Sequence, residues 1–217
     1  MTAKTSAIPW RAILLESGLV VFGLVIALLA NGWLDGRRQQ ERADAAMVAV
    51  VGEIRANQAS LHKSIQYHGE VLGALAGFES EHGSEPEAVV PWSTFPQGFV
   101  LPPSLASHAW DMASATGSIE RVPYQRVLKV SSLYGSQERY QAMLAQISQE
   151  IYHRLFDQGR DALRRNWRNH REVLGALVYR ECFLAWDYEA ALPELDPNGE
   201  QVAVPEYCDY LPKPDAD

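Results

Sequence analysis

Residues 17–34, SGLVVFGLVIALLANGWL, form an 18-residue run without one charged side chain in a chain that is otherwise densely charged. As a helix the run is about 27 Å long, close to the hydrocarbon thickness of a bilayer. Trp10 and Trp33 flank it about 35 Å apart on one helix, near the spacing of the two interfaces where tryptophan collects. This predicts a short N-terminal tail over residues 1–11 and a transmembrane helix over 12–34. A cleaved signal peptide is the alternative, with Lys4 and Arg11 as its basic region and Ala30-Asn31-Gly32 as a small-x-small cleavage site. The run is longer than an ordinary signal core, and Trp33 would follow the cut directly, so an anchor is the better reading.

The anchor is patterned. Glu16, Gly23, Ala27 and Asn31 are spaced by 7, 4 and 4 and share one side of the helix, with leucine, valine, isoleucine and phenylalanine elsewhere. Small residues let another helix approach closely, and a carboxyl and an amide on the same side are poorly placed against lipid. That side is the expected association face, toward a second copy or a partner membrane protein. Against it stand the snorkelling of Glu16 to the headgroups and the placing of Asn31 at the far interface.

The chain carries 19 basic and 27 acidic residues, and beyond residue 34 the balance is 17 against 26. Such a surface repels phosphate backbones, so no nucleic-acid partner is expected. The basic residues flanking the anchor are nearly balanced: Lys4 and Arg11 before it, then Arg37, Arg38 and Arg42 offset by Asp35, Glu41 and Asp44. There are two cysteines, Cys182 and Cys208. Outside the cytoplasm they could form a disulfide pinning the tail to the domain; the alternative is two unrelated thiols.

After the anchor, residues 35–79 lack proline, and Met47, Val51, Ile54, Gln58, Leu61, Ile65, His68, Leu72 and Leu75 recur at spacings of four and three. This predicts a long amphipathic helix continuing from the membrane, with a break near Gly69. The stripe suits either a coiled coil of copies or packing against later helices of the same chain, and the intramolecular bundle is favoured. Residues 80–104 hold five prolines together with Trp92, Phe95 and Phe99, which predicts a connector lying against the bundle. A bundle domain over 105–192 follows: a short helix after Ser104 with Leu105, His108, Ala109 and Met112 on one face, a second over 120–134, and a long one from 136 to 170 or beyond. Pro193 is expected to stop the last helix, leaving 193–217 as an irregular tail. The fold class is all-α.

Trp110 is expected to fill the centre of the bundle, with Asp111 capping a neighbouring turn at Thr116-Gly117; the functional alternative is a ligand or partner groove there. Arg160, Arg164 and Arg168 share a helix face and could meet an anionic surface, although a solvated face paired with Asp157, Asp161 and Glu172 is the commoner outcome. The six histidines have no paired metal-ligand spacing, the cysteines form no CxxC, and there is no GxSxG, Walker loop or dinucleotide fingerprint. No enzyme activity, cofactor or metal is expected.

Glu16, the small residues of the anchor, Asn31-Gly32-Trp33, the charged helix, Trp110-Asp111, Ala115-Thr116-Gly117 and Tyr134 together resemble a family of bacterial single-pass inner-membrane proteins of uncharacterised function, over roughly residues 10–145. The resemblance implies a bacterial inner-membrane location and this architecture, and no catalytic residues. The expected protein is a membrane-anchored helical interaction or accessory module with a periplasmic domain, whose partners are the bilayer and a second copy or another membrane protein. The alternative is a ligand-sensing or enzyme-like module with a pocket near Trp110.

Overall fold

The computed structural model describes residues 10–212, and its dominant element is one helix, α1, from Trp10 to His82. Its 73 residues span about 110 Å. No proline lies between Trp10 and His82, so every amide in the interior can donate to the preceding turn. The expected break near Gly69 is absent. An ideal Cβ on Gly69 would stand 2.9 Å from Cδ2 of Tyr207, so this glycine makes room for a packed ring and does not bend the helix. The helix also runs past residue 79 to His82, where Gly83 turns back with its N–H on the Glu79 carbonyl at 2.7 Å.

Residues 14–34 of α1 are exposed throughout, and the second half builds the core. Ala43, Met47, Val50, Ile54, Leu61, Ile65, Leu72 and Leu75 are buried along one stripe. Later elements of the same chain cover it: α2 (His108–Ala115), α3 (Tyr124–Gln158) and α5 (Trp167–Leu195), with the short α4 (Arg160–Arg165) joining α3 to α5. Helix α3 runs alongside α1 in the same direction, pairing Tyr134 with Glu53 and Gln137 with Asn57. Helix α5 runs the opposite way, from Trp167 beside Phe78 to Glu181 beside His68. Burying the apolar stripe against α3 and α5 supplies most of the cohesion, at roughly 25 cal/mol per Å² removed from water.

Several boundaries differ from the sequence expectation. The helices expected at 120–134 and from 136 onward are one helix, α3, preceded by a 3₁₀ turn at Ser118–Arg121. That helix ends at Gln158 because Gly159 adopts φ +75, and α4 and α5 then turn back. Helix α2 starts at His108 and buries Ala113, while Met112 is exposed. Pro193 lies inside the last turn of α5, which ends at Leu195. The bundle is not confined to 105–192, since its core includes residues 47–75 of α1.

Two straps outside the α-helices, each with one 3₁₀ turn (Trp92–Thr94 and Glu206–Tyr210), complete the fold. The first, residues 83–107, returns along α1, and a ladder of polar side chains on the helix binds its backbone. Ala109 N–H donates to Glu53 Oε2 at 3.0 Å, and Ala106 N–H to Asn57 Oδ1 at 2.8 Å. Asn57 Nδ2 donates to the Ala106 carbonyl at 2.7 Å, and Ser104 N–H to Ser60 Oγ at 2.7 Å. Ser64 Oγ donates to the Leu101 carbonyl at 2.9 Å, and Leu101 N–H to His68 Nε2 at 2.9 Å. Glu53, Asn57, Ser60, Ser64 and His68 therefore form a polar stripe beside the apolar one. From Asn57 to His68 the helix rises about 16 Å, and the five steps from 101 to 106 reach about 16 Å when extended, so the two stay in register, with Glu53 then meeting Ala109 in the first turn of α2. Pro102 and Pro103 have no N–H to satisfy at the point of closest packing, where Pro103 is buried.

The second strap, residues 196–212, climbs another side of α1. Arg55 donates twice to Asp196 Oδ2, at 2.7 and 3.0 Å, and once to the Glu200 carbonyl at 2.6 Å. Further along, Tyr207 lies on Gly69, and Cys208 is bonded to Cys182 of α5.

Asn57→Ala should lower the unfolding free energy by about 2–3 kcal/mol, because the Ala106 amide loses its buried partner. Gln66→Ala, which removes only an exposed pair with Glu70, should change it by under about 0.5 kcal/mol. Denaturant titration of both variants of the detergent-solubilised chain, followed by circular dichroism, measures the difference.

Candidate functional site

The candidate site is one side of α1: in residues 14–34 every side is exposed, and beyond them the packing of the bundle leaves part of the helix uncovered. Glu16, Gly23, Ala27 and Asn31 are exposed, and an ideal Cβ on Gly23 would meet nothing within 4 Å. Leu14–His82 contains an 18-residue window of mean hydropathy 2.1, none of it buried, so this helix is long and apolar enough to cross a membrane. Trp33 is 65% exposed and Trp10 is 64% exposed, at the two ends of the apolar segment.

The same side continues into the domain. Ala45, Gly52, Ala56 and Ala59 lie 14, 21, 25 and 28 residues beyond Asn31, which at 100° per residue places them on the face that carries Gly23 and Ala27. All four are exposed, and a Cβ on Gly52 would again meet nothing within 4 Å. The other sides of the upper half are taken by the apolar stripe, the polar ladder and the Arg55 strap. Small side chains therefore recur on this side in two groups, one within the apolar segment and one beyond it, with Leu34, Arg38 and Glu41 between them.

The most concentrated chemistry in the chain lies inside. His68, Glu181 and Tyr140 meet in the core, with His68 and Glu181 wholly buried. Leu101 N–H donates to His68 Nε2, which leaves the ring proton on Nδ1, directed at Glu181 Oε2 at 2.9 Å. Tyr140 O–H donates to Glu181 Oε1 at 2.8 Å, and burial followed by the Glu181 charge pushes its phenol far up, so it stays a donor. A histidine paired with a carboxylate resembles the base of a nucleophilic site, but the nitrogen such a base would use is occupied by backbone. The cluster joins α1, α3, α5 and the first strap. A neighbouring cluster does the same: Gln137 accepts from Tyr188 at 2.7 Å and from Asn57 at 2.9 Å, and donates to the Ala106 carbonyl at 3.0 Å.

Trp110 does not occupy the centre of the bundle. It is half-buried and stacked on Tyr134, with ring centroids 5.8 Å apart and planes 8° from parallel. Tyr134 in turn donates to Glu53 at 2.5 Å, so Trp110 covers the outer end of the ladder. The fully buried tryptophan is Trp167, whose indole N–H donates to the Ala88 carbonyl at 3.2 Å. Asp111 accepts from Ser107 Oγ at 2.8 Å, in the first turn of its own helix, and does not cap the Thr116-Gly117 turn. Thr116 Oγ1 donates to the Met112 carbonyl at 2.7 Å, and Gly117 takes φ +68 to reverse the chain. Thr116 and Gly117 line a cavity of 460 Å³ with Gln39, Arg42, Glu120 and Arg121; Trp110 and Asp111 do not.

The arginines expected to meet an anionic surface face the first strap. Arg164 Nε donates to the Val90 carbonyl at 2.7 Å, and Arg168 to the Gly83 carbonyl at 3.0 Å. The Arg160 guanidinium stands 4.6 Å from the Trp92 ring centroid. They crown the far end of the bundle, about 70 Å of helix beyond Trp33, and Arg164 also pairs with Asp161 at 3.1 Å.

Cys182 and Cys208 are joined by a disulfide, both wholly buried. It closes a 26-residue separation, for which chain entropy gives about 3.5 kcal/mol. Reduction should lower the unfolding free energy by about that amount, and alkylation before reduction should label neither cysteine. Mass-shift assay and denaturant titration measure both.

His170 is buried against Phe99, with ring centroids 4.6 Å apart, and burial followed by the Arg154 charge lowers its pKa to about 4. The unfolded chain binds this proton at the ordinary histidine value and the folded chain does not. Stability from this group is therefore complete above about pH 6.5 and falls between there and about pH 4. His170→Phe should flatten the acid limb of the stability curve in that window, as measured by thermal unfolding from pH 7 to 4.

No known protein family, curated protein or solved structure matches the chain.

Proposed function

We propose that the protein is a membrane-anchored interaction module of the bacterial inner membrane, associating laterally through the uncovered side of α1. One observation carries this reading: Gly23 and Ala27 of the apolar segment and the exposed Ala45, Gly52, Ala56 and Ala59 above it fall on one side of α1, parted by Leu34, Arg38 and Glu41, and an ideal Cβ on Gly23 or Gly52 would meet nothing within 4 Å. Alanine and glycine on an exposed face permit close backbone approach by another helix. A plain tether has no use for such a face above the membrane.

The unbroken helix gives this reading mechanical sense. A contact made in the bilayer is carried rigidly into the bundle, because α1 is also the stripe on which α3, α5 and both straps pack. Lateral pairing in the membrane would thus fix how two domains, or a domain and its partner, stand beside each other. The buried disulfide supports an oxidising compartment for the domain, with the N-terminus in the cytoplasm.

Photo-crosslinking residues introduced at Ala27 and Ala56 in intact cells should both give adducts of the same partner or of a second copy, whereas one at the exposed Glu138 of α3 should not. Adducts from Glu138 alone, or from none of the three, would overturn the proposal.

A further inference from the structure

The continuous helix fixes the height of the domain base above the membrane, and a charged cavity lies at that height. Gln39 is six residues beyond Trp33, about 9 Å along the axis, and Arg42 is about 14 Å along. The polar zone of a leaflet is roughly 5–8 Å deep, and an arginine side chain reaches several ångström further. At this level the loop after α2 meets α1: Arg121 donates to Gln39 Oε1 through Nε at 3.1 Å and Nη2 at 2.7 Å.

The cavity there, of 460 Å³, is lined by Gln39, Arg42, Thr116, Ser118, Glu120 and Arg121. Its charges are not spent on one another. Arg121 is held by a neutral carbonyl oxygen, and the Arg42 guanidinium has no ion-pair partner among the described residues. Nearby, Arg37 pairs with Glu41 at 3.0 Å and Arg38 with Asp35 at 3.7 Å, so those four largely offset one another. The Glu120 carboxylate folds over the bare backbone of Gly117, where a Cβ would stand 3.1 Å from Oε1. The Thr116 and Ser118 hydroxyls are 2.8 Å apart on the same wall.

We infer that this cavity binds the zwitterionic headgroup of a phospholipid bearing a primary ammonium, with its phosphate between Arg42 and Arg121 and its ammonium on Glu120. Guanidinium groups recognise phosphate oxygens through paired donors, and a carboxylate beside them suits an ammonium and not a second anion. The acidic excess of the chain beyond the anchor, 26 residues against 17, disfavours a uniformly anionic surface. The headgroup would fasten the domain base to the bilayer and hold α1 close to one tilt. This inference rests on the membrane reading of residues 14–34.

The test uses the full chain in nanodiscs, with amide exchange of residues 114–122 as the readout. In phosphatidylethanolamine mixed with phosphatidylcholine, exchange there should be about fivefold slower than in phosphatidylcholine alone, because both lipids offer the phosphate and only the ethanolamine ammonium can donate a hydrogen bond to Glu120. The double variant R42Q/R121Q should lose the difference, and Glu120→Gln should lose the preference for ethanolamine over choline, with the circular dichroism of both unchanged. Equal exchange in the two lipids, or stronger protection by phosphatidylglycerol, would overturn the proposal. Protection by inorganic phosphate in phosphatidylcholine nanodiscs would overturn it in favour of a free-phosphate site. Failure of the chain to enter nanodiscs at all would instead refute the membrane reading.

Discussion

The rest of the structure depends on the side chains of α1 satisfying the backbone of a segment that forms neither helix nor sheet. A long extended strap buried against a helix would leave unpaired amides and carbonyls at a cost of a few kcal/mol each. Here a stripe from Glu53 to His68 supplies the partners at helical spacing, and prolines remove donors where none is available. The strap can then cover the seam between α1 and α3, where Asn57 and Gln137 are hydrogen-bonded to each other and both to Ala106 of the strap.

The two buried polar clusters show how this arrangement is made specific. Hydrophobic burial would tolerate a sliding of α1 against α5, whereas a histidine with one nitrogen on Glu181 and the other on the Leu101 amide tolerates one register. The same applies to Gln137, which uses both ends of its amide on three different elements. These residues are chemically suggestive in isolation. Their partners turn them into fasteners, and the functional surface is left to the side of α1 that has no fasteners at all.

Much of the fold was legible because it rests on periodicity. The charge-free run, the absence of proline through residue 82 and the apolar recurrence from Met47 to Leu75 define α1 and its buried stripe; the recurring positions are buried save for the half-exposed Val51, and Val50, Tyr67 and Val71 beside them are buried as well. The polar stripe was equally present in the sequence, at spacings of 4, 3, 4 and 4, beside a proline-rich connector that needed hydrogen-bond partners. It escaped reading because serine, asparagine and glutamate at helical spacing are the ordinary dress of a solvated face. Boundaries such as Gly159 and Pro193 failed for a related reason: a glycine can sit inside a helix or end one, and packing decides which.

The sequence by itself determined that the chain is helical, that one segment is long and apolar enough to cross a membrane, and which side of α1 is small. Those are local properties, set by side-chain volume, charge and the 3.6-residue turn. The tertiary structure decided which faces of α1 are used up. It placed Trp167 and not Trp110 at the centre, turned Arg164 and Arg168 onto carbonyls of the strap, and closed Cys182 onto Cys208. Each of these depends on residues dozens of positions apart coming within about 3–6 Å, and no local pattern encodes that distance.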